Sequence, residues 1–145
     1  MESAQLVSIG YEGRDLGALI DQLRANNVQI LVDVRLTPIS RKPGLSKTKL
    51  ADALAAAGII YVHHRELGNP RDNREGFRAG APSSREAFRR VLTTDAAADA
   101  LQHVSELLND GVVALLCFER DHAQCHRGLV ADALCRERPI ELLTV

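Results

Sequence analysis

The chain has 145 residues, 46% of them hydrophobic and 26% charged, with a formal net charge of -1. That is the balance of an ordinary globular protein, and the length suits one α/β domain over residues 1–145 with a single sizeable core. A net charge so close to zero excludes global attraction to nucleic acid or to an anionic membrane, so either partner would need a local patch. No window approaches the roughly 18 apolar residues of a membrane span, and Met-Glu-Ser-Ala-Gln lacks the features of a secretory leader. Three cysteines, an odd number, predict free thiols in a reducing, cytoplasmic setting.

The elements follow in order. Gln5 to Ile9 is a short strand closed by Gly10, and Gly10-Tyr11-Glu12-Gly13 is a turn. Asp15 caps a helix that carries Leu16, Leu19, Ile20 and Leu23 on one face. Val28 to Val34 is a buried strand ending in Asp33-Val34-Arg35. Pro38 and Pro43-Gly44 then break regular structure. Ser46 caps a helix from Lys47 to Ala57, stopped by Gly58. Ile59 to His63 is the third strand, and 64–82 lacks periodicity and reads as a long loop, of a length that is usually functional or mobile.

Ser83-Ser84-Arg85-Glu86 matches a capping box for a helix reaching Val91. Thr94-Asp95 opens another helix, with Leu101, Val104, Leu107 and Leu108 on its apolar side. Val112 to Phe118 is a continuous apolar run, hence a fully buried strand. A polar loop leads into a helix with Leu129, Val130, Ala133 and Leu134 on one face, and Pro139 to Val145 is a final strand. Strands alternating with amphipathic helices imply a three-layer α/β domain whose mostly parallel sheet has about five strands. Ligands of such sheets bind outside the carboxyl ends of the strands. Loops 10–14, 33–46, 63–82 and 117–127 should converge there.

The sharpest chemistry lies in 112–135. Cys125, His126 and Arg127 fall about where the last helix begins, and the positive end of a helix dipole favours an anion and lowers a thiol pKa. The structural alternative is a plain surface turn. Cys117, near the end of the preceding strand, is either a packed small hydrophobe or a second thiol that meets Cys125 above the sheet edge. Two thiols with Glu119, His122 and His126 are chemically competent to bind zinc or iron. The sequence contains no Cys-x-x-Cys pair, so no residue is assigned to metal and no cofactor is named. Cys135, within the last helix, reads as inert.

Arg35, Arg41, Lys42, Lys47 and Lys49 crowd residues 35–49 without one acidic residue. Such a patch suits a phosphate or carboxylate. With two Tyr, three Phe and no Trp, little surface exists for stacking extended nucleic acid. Asp33 is placed to orient Arg35 or to act as a general base. His63 is another candidate base, and Tyr11 offers a hydroxyl from a glycine-flanked turn.

Gly10-Tyr11-Glu12-Gly13-Arg14, Leu31-Val32-Asp33-Val34-Arg35, Ser40-Arg41-Lys42-Pro43-Gly44, Tyr61-Val62-His63 with Glu66-Leu67-Gly68, and Cys117-Phe118-Glu119 followed by Cys125-His126-Arg127 occur in that order. In these five motifs the chain resembles the domain-of-unknown-function family 488 over nearly its whole length. The resemblance implies an intracellular α/β domain whose biochemical activity has no general assignment. It singles out Tyr11, Asp33, Arg35, Arg41, His63, Glu66, Cys117, Glu119, Cys125, His126 and Arg127. Leu45 stands where the family usually has an aromatic, and His64-Arg65 replaces a more apolar pair. A weaker likeness links the strand ends to rhodanese and the cysteine phosphatases. The Cys-x5-Arg spacing of the latter is absent, because Ala123 and Ala131 stand at the arginine position.

The resulting expectation is an enzyme acting on a small anionic molecule, phosphate- or nucleotide-containing. Arg35, Arg41 and Arg127 hold the anion, and Tyr11, His63 and Glu66 line the site. Cys125 is the nucleophile or redox thiol, and Asp33, Glu119 or His126 handle protons. The alternatives are a metal or redox sensor built on Cys117 and Cys125, and a nucleic-acid or protein-binding module using the 35–49 loop.

Overall fold

The computed structural model describes residues 3–145. The strands are β1 (Ala4–Gly10), β2 (Ile30–Asp33), β3 (Ile60–His63), β4 (Val113–Cys117) and β5 (Ile140–Thr144). The helices are α1 (Leu16–Ala25), α2 (Lys47–Ala56), α3 (Arg74–Arg78), α4 (Pro82–Leu92), α5 (Asp95–Leu107) and α6 (Arg127–Glu137). The strands form one sheet in the order β3-β2-β4-β1-β5, and every pairing in it is parallel. Helices cover both faces. The expected three-layer α/β architecture is therefore present, with a wholly parallel sheet.

Parity along the strands decides which side chains meet which layer. Leu6, Val32, Val113, Leu115 and Cys117 face the layer of α4, α5 and α6, where Phe88, Val104, Val130 and Leu134 are buried. Val7, Ile9, Leu31, Ala114 and Leu116 face α1 and α2, represented by Leu19, Leu23, Leu50 and Leu54. β4, buried at every position, is apolar throughout because both of its faces are covered. Cys117 thus points toward the layer that contains α6.

Helix starts differ in how they are satisfied. Asp15 accepts the Ala18 N–H at 2.8 Å, and Thr94 accepts that of Ala97 at 3.2 Å. Ser46 precedes α2 without capping it; its hydroxyl accepts from the Ser40 N–H at 3.0 Å and donates to the Ser40 carbonyl. The expected capping box at Ser83 does not form. Pro82, which has no N–H to satisfy and a fixed φ, takes the first helical turn instead, and Ser84 is buried within it.

The stretch 64–82, read as a loop, holds two 3-10 turns, Arg65–Leu67 and Arg71–Asn73, and α3. Elements this short cannot display a helical period, yet they bury Leu67 and Phe77. No described helix is long and apolar enough to cross a membrane.

Candidate functional site

The carboxyl ends of the central strands lie level, since Gly10 pairs with Cys117 and Asp33 with Leu116. Above them opens a cavity of about 90 Å³. All four expected loops reach it. Tyr11 comes from the first, Arg35 from the second, Asn69, Arg74 and Arg78 from the third, and Cys117, Glu119 and His126 from the fourth.

The sulfurs of Cys117 and Cys125 are joined as a disulfide, with Cα atoms 7.2 Å apart. Of the three thiols expected to be free, only Cys135 is so, exposed on α6. The pair is held by its neighbours. Arg127 Nη1 donates to Cys117 Sγ at 2.8 Å, and the Arg127 backbone N–H points at Cys125 Sγ at 3.5 Å. His126, 7% exposed, donates from Nε2 to the Val34 carbonyl at 2.7 Å. That bond leaves Nδ1 unprotonated, 3.5 Å from Cys125 Sγ. Burial pushes the His126 pKa down to about 4, so the ring is neutral at pH 7.

Asp33 and Arg35 form a closed unit beneath the cavity wall. The Asp33 carboxylate accepts from Arg35 Nε at 2.9 Å and Nη2 at 2.7 Å, and from the Tyr61 hydroxyl at 2.6 Å. Burial would lower the Arg35 pKa, but the hydrogen bonds and charge of Asp33 outweigh it and raise it. Arg35 Nη1 also donates to the Leu45 carbonyl at 2.7 Å, so its guanidinium is fixed. It lies 5.3 Å from the centre of the Tyr11 ring, which packs edge-on against Phe118. His63 bonds the Arg35 carbonyl through Nε2 at 2.8 Å and so buttresses this unit.

Arg127 is fully buried and faces inward. It donates to Ser8 Oγ at 2.6 Å, to the Glu119 carbonyl, and to the Arg120 carbonyl at 2.9 Å. Its guanidinium ties the sulfur loop to β1, with burial pushing its pKa down to about 10. Ser8 passes the contact on, since its hydroxyl lies 2.6 Å from His122 Nδ1. Gly10 is required where it is, because a Cβ there would collide with the Glu119 carbonyl that accepts from Arg127.

Two sequence candidates stand away from the cavity. Arg41 is exposed on the outer part of its loop, beside Lys47 and Lys49 at the start of α2. Glu66 pairs with His64 at 3.1 Å, and His64 reaches His103 on α5 at 2.7 Å. Lys42, from the same basic run, turns back onto the carbonyls of Tyr11 and Arg14, each at 2.9 Å.

In their place the structure brings Arg74 and Arg78, which sequence reasoning passed over because 64–82 carried no periodic signal. Arg78 Nε donates to Glu119 Oε1 at 2.8 Å. Arg74 donates to the Asn69 carbonyl at 3.3 Å and, among the described residues, has no carboxylate partner. Arg35 is balanced by Asp33 and Arg78 by Glu119, which leaves one uncompensated positive charge at the cavity, that of Arg74. The arrangement can accept a small anion beside a pair of sulfurs and a neutral imidazole.

No curated protein and no solved structure matches the chain. The family model described as "Domain of unknown function DUF488" matches residues 15–134, which include every residue of the site except Tyr11, Gly10 and Ser8. The chain therefore belongs to the DUF488 family.

Proposed function

We propose that the chain is an enzyme that takes the anionic end of a small substrate, a phosphate or a group of that size, into the cavity against Arg74. In the reduced protein Cys125 supplies the reactive sulfur. The observation that carries this reading is the single uncompensated guanidinium of Arg74, sharing a small cavity with Cys117 and His126. A cavity of about 90 Å³ has room for a group of phosphoryl size. The rest of a substrate would stay at the mouth, where Phe118 and Ile39 are exposed.

The chemistry follows from the tautomer of His126. With Nε2–H held by the Val34 carbonyl, the neutral Nδ1 is left to accept a hydrogen bond from the Cys125 thiol, and the Arg127 backbone N–H faces that sulfur. Cys117, beside the Arg127 guanidinium, is the resolving partner. The basic 35–49 loop supports a nucleic-acid module poorly, since Arg35 and Lys42 are engaged internally.

The test is a titration of reduced protein with inorganic phosphate. Arg74→Ala should weaken binding about tenfold or more, the worth of one charge-assisted hydrogen bond, whereas Arg41→Ala should leave it unchanged. Equal weakening by both variants, or no phosphate binding at all, would overturn the assignment of the anion to this cavity. Cys125→Ser should retain phosphate binding and lose turnover on any substrate found.

A further inference from the structure

We propose that Cys117 Sγ, Cys125 Sγ and His126 Nδ1 form a three-ligand site for a thiophilic divalent ion of the zinc class, its fourth position open to the cavity. This rests on the reading above only for the anion's place in the cavity; the ligand set stands without it.

The three ligand atoms lie within 4.8 Å of one another, and all three residues are buried. On a tetrahedral ion with bonds of about 2.3 Å to sulfur and 2.0 Å to nitrogen, sulfur and nitrogen stand about 3.5 Å apart. Cys125 Sγ and His126 Nδ1 are separated by 3.5 Å. Two sulfurs on such an ion stand about 3.8 Å apart. The backbone is spaced for that. In the disulfide the sulfurs are bonded to each other, but their Cα atoms are 7.2 Å apart, so once the bond is reduced the two side chains can hold their sulfurs at the spacing of such an ion.

The surroundings of these ligands point the same way. A metal-bound imidazole almost always donates its other ring N–H to a carbonyl or carboxylate, which fixes tautomer and orientation. His126 does so to Val34 at 2.7 Å. Each sulfur also has a donor, the Arg127 side chain for Cys117 and the Arg127 N–H for Cys125. Such donors stabilise thiolates and offset part of their charge. Two thiolates and an imidazole are soft and borderline ligands, which select zinc over magnesium or calcium.

The cavity gives the fourth position its purpose. Cys117 and His126 line it together with Glu119, and three protein ligands plus one exchangeable position is the pattern of a catalytic ion rather than a structural one. An anion drawn in by Arg74 would meet the ion directly. In the loaded protein the cysteines are ligands, and the free thiolate belongs to the metal-free form.

The experiment uses the full chain, reduced, stripped with chelator and titrated with zinc alone and then with cobalt alone. Zinc should bind at about one ion per chain and slow alkylation of Cys117 and Cys125 at least tenfold. Cys135, exposed on α6, is the internal control and should alkylate at an unchanged rate. Cobalt should give a sulfur-to-metal charge-transfer band that Cys117→Ser and Cys125→Ser each weaken, with folding checked by circular dichroism. Equal alkylation of Cys117 and Cys125 with and without zinc, together with no cobalt–thiolate band, would overturn the metal site. Phosphate binding, measured separately on the stripped protein, would then tell whether the anion reading survives it.

Discussion

Asp33 has 0% exposure and four donors aimed at its carboxylate, the Arg35 backbone N–H, Nε and Nη2 and the Tyr61 hydroxyl. That engagement holds Arg35 in place at the cavity wall, the orienting role that the sequence offered for Asp33 beside that of a general base. Removing one partner of a buried ion pair leaves the other charge unpaired at a cost of about 3–5 kcal/mol. Asp33→Ala should therefore lower the denaturant midpoint strongly with little change in m-value; a loss below about 1 kcal/mol would show that the pair is relaxed in solution. Arginine roles were the least legible part of the sequence. A basic run at 35–49 announces charge but not direction, and there Arg35 turns inward, Lys42 turns onto carbonyls and Arg41 turns to solvent. Arg127 was visible as a residue beside two others of interest, but its burial depends on β1 lying next to β4, which no local pattern encodes.

Among the elements, those whose apolar period spans two turns or more were readable, and those of three to five residues were not. The alternation that separates Cys117 from Leu116 is a two-residue period, and it puts the thiol on the α6 side without further information. α3 carries Arg74 and Arg78 on five residues, too few for a period to show. Caps repeat the lesson, since a serine before a helix identifies the boundary without saying where its hydroxyl goes. Thr94→Ala should cost about 1 kcal/mol by loss of a working cap. Ser46→Ala should disturb the 40–46 loop instead, through its two bonds to Ser40. Comparing the two by urea denaturation, with local amide exchange at residues 40 and 97, separates these outcomes. Protection lost at the start of α2 rather than at Ser40 would contradict the assignment.

At the scale of the whole molecule, alternating strands and helices led to the parallel sheet, because helices on both faces require continuous apolar strands. Strand order was not legible, as every strand here could pair with several others. Stability should carry one alkaline signature. Burial, reinforced by the Asp33 charge and hydrogen bond, raises the Tyr61 pKa above its ordinary value of about 10. The folded state therefore holds that proton more tightly than the unfolded chain does. Its stabilising contribution is complete below about pH 10 and diminishes as pH rises beyond it. Tyr61→Phe should flatten this part of the decline in urea midpoints between about pH 9 and 11, and an unchanged slope would remove Tyr61 as its source.

The placement of β1 between β4 and β5 also sets a timetable. A nascent chain leaves the ribosome with β1 first, but the backbone groups of Leu6 await Val113 and Leu142. Until then β1 has nothing to pair with, and closing so long a loop slows folding. Cys117 and Cys125 emerge together with those late partners, so both thiols stay accessible to oxidants or metal ions until the last strands are made and the domain closes over them.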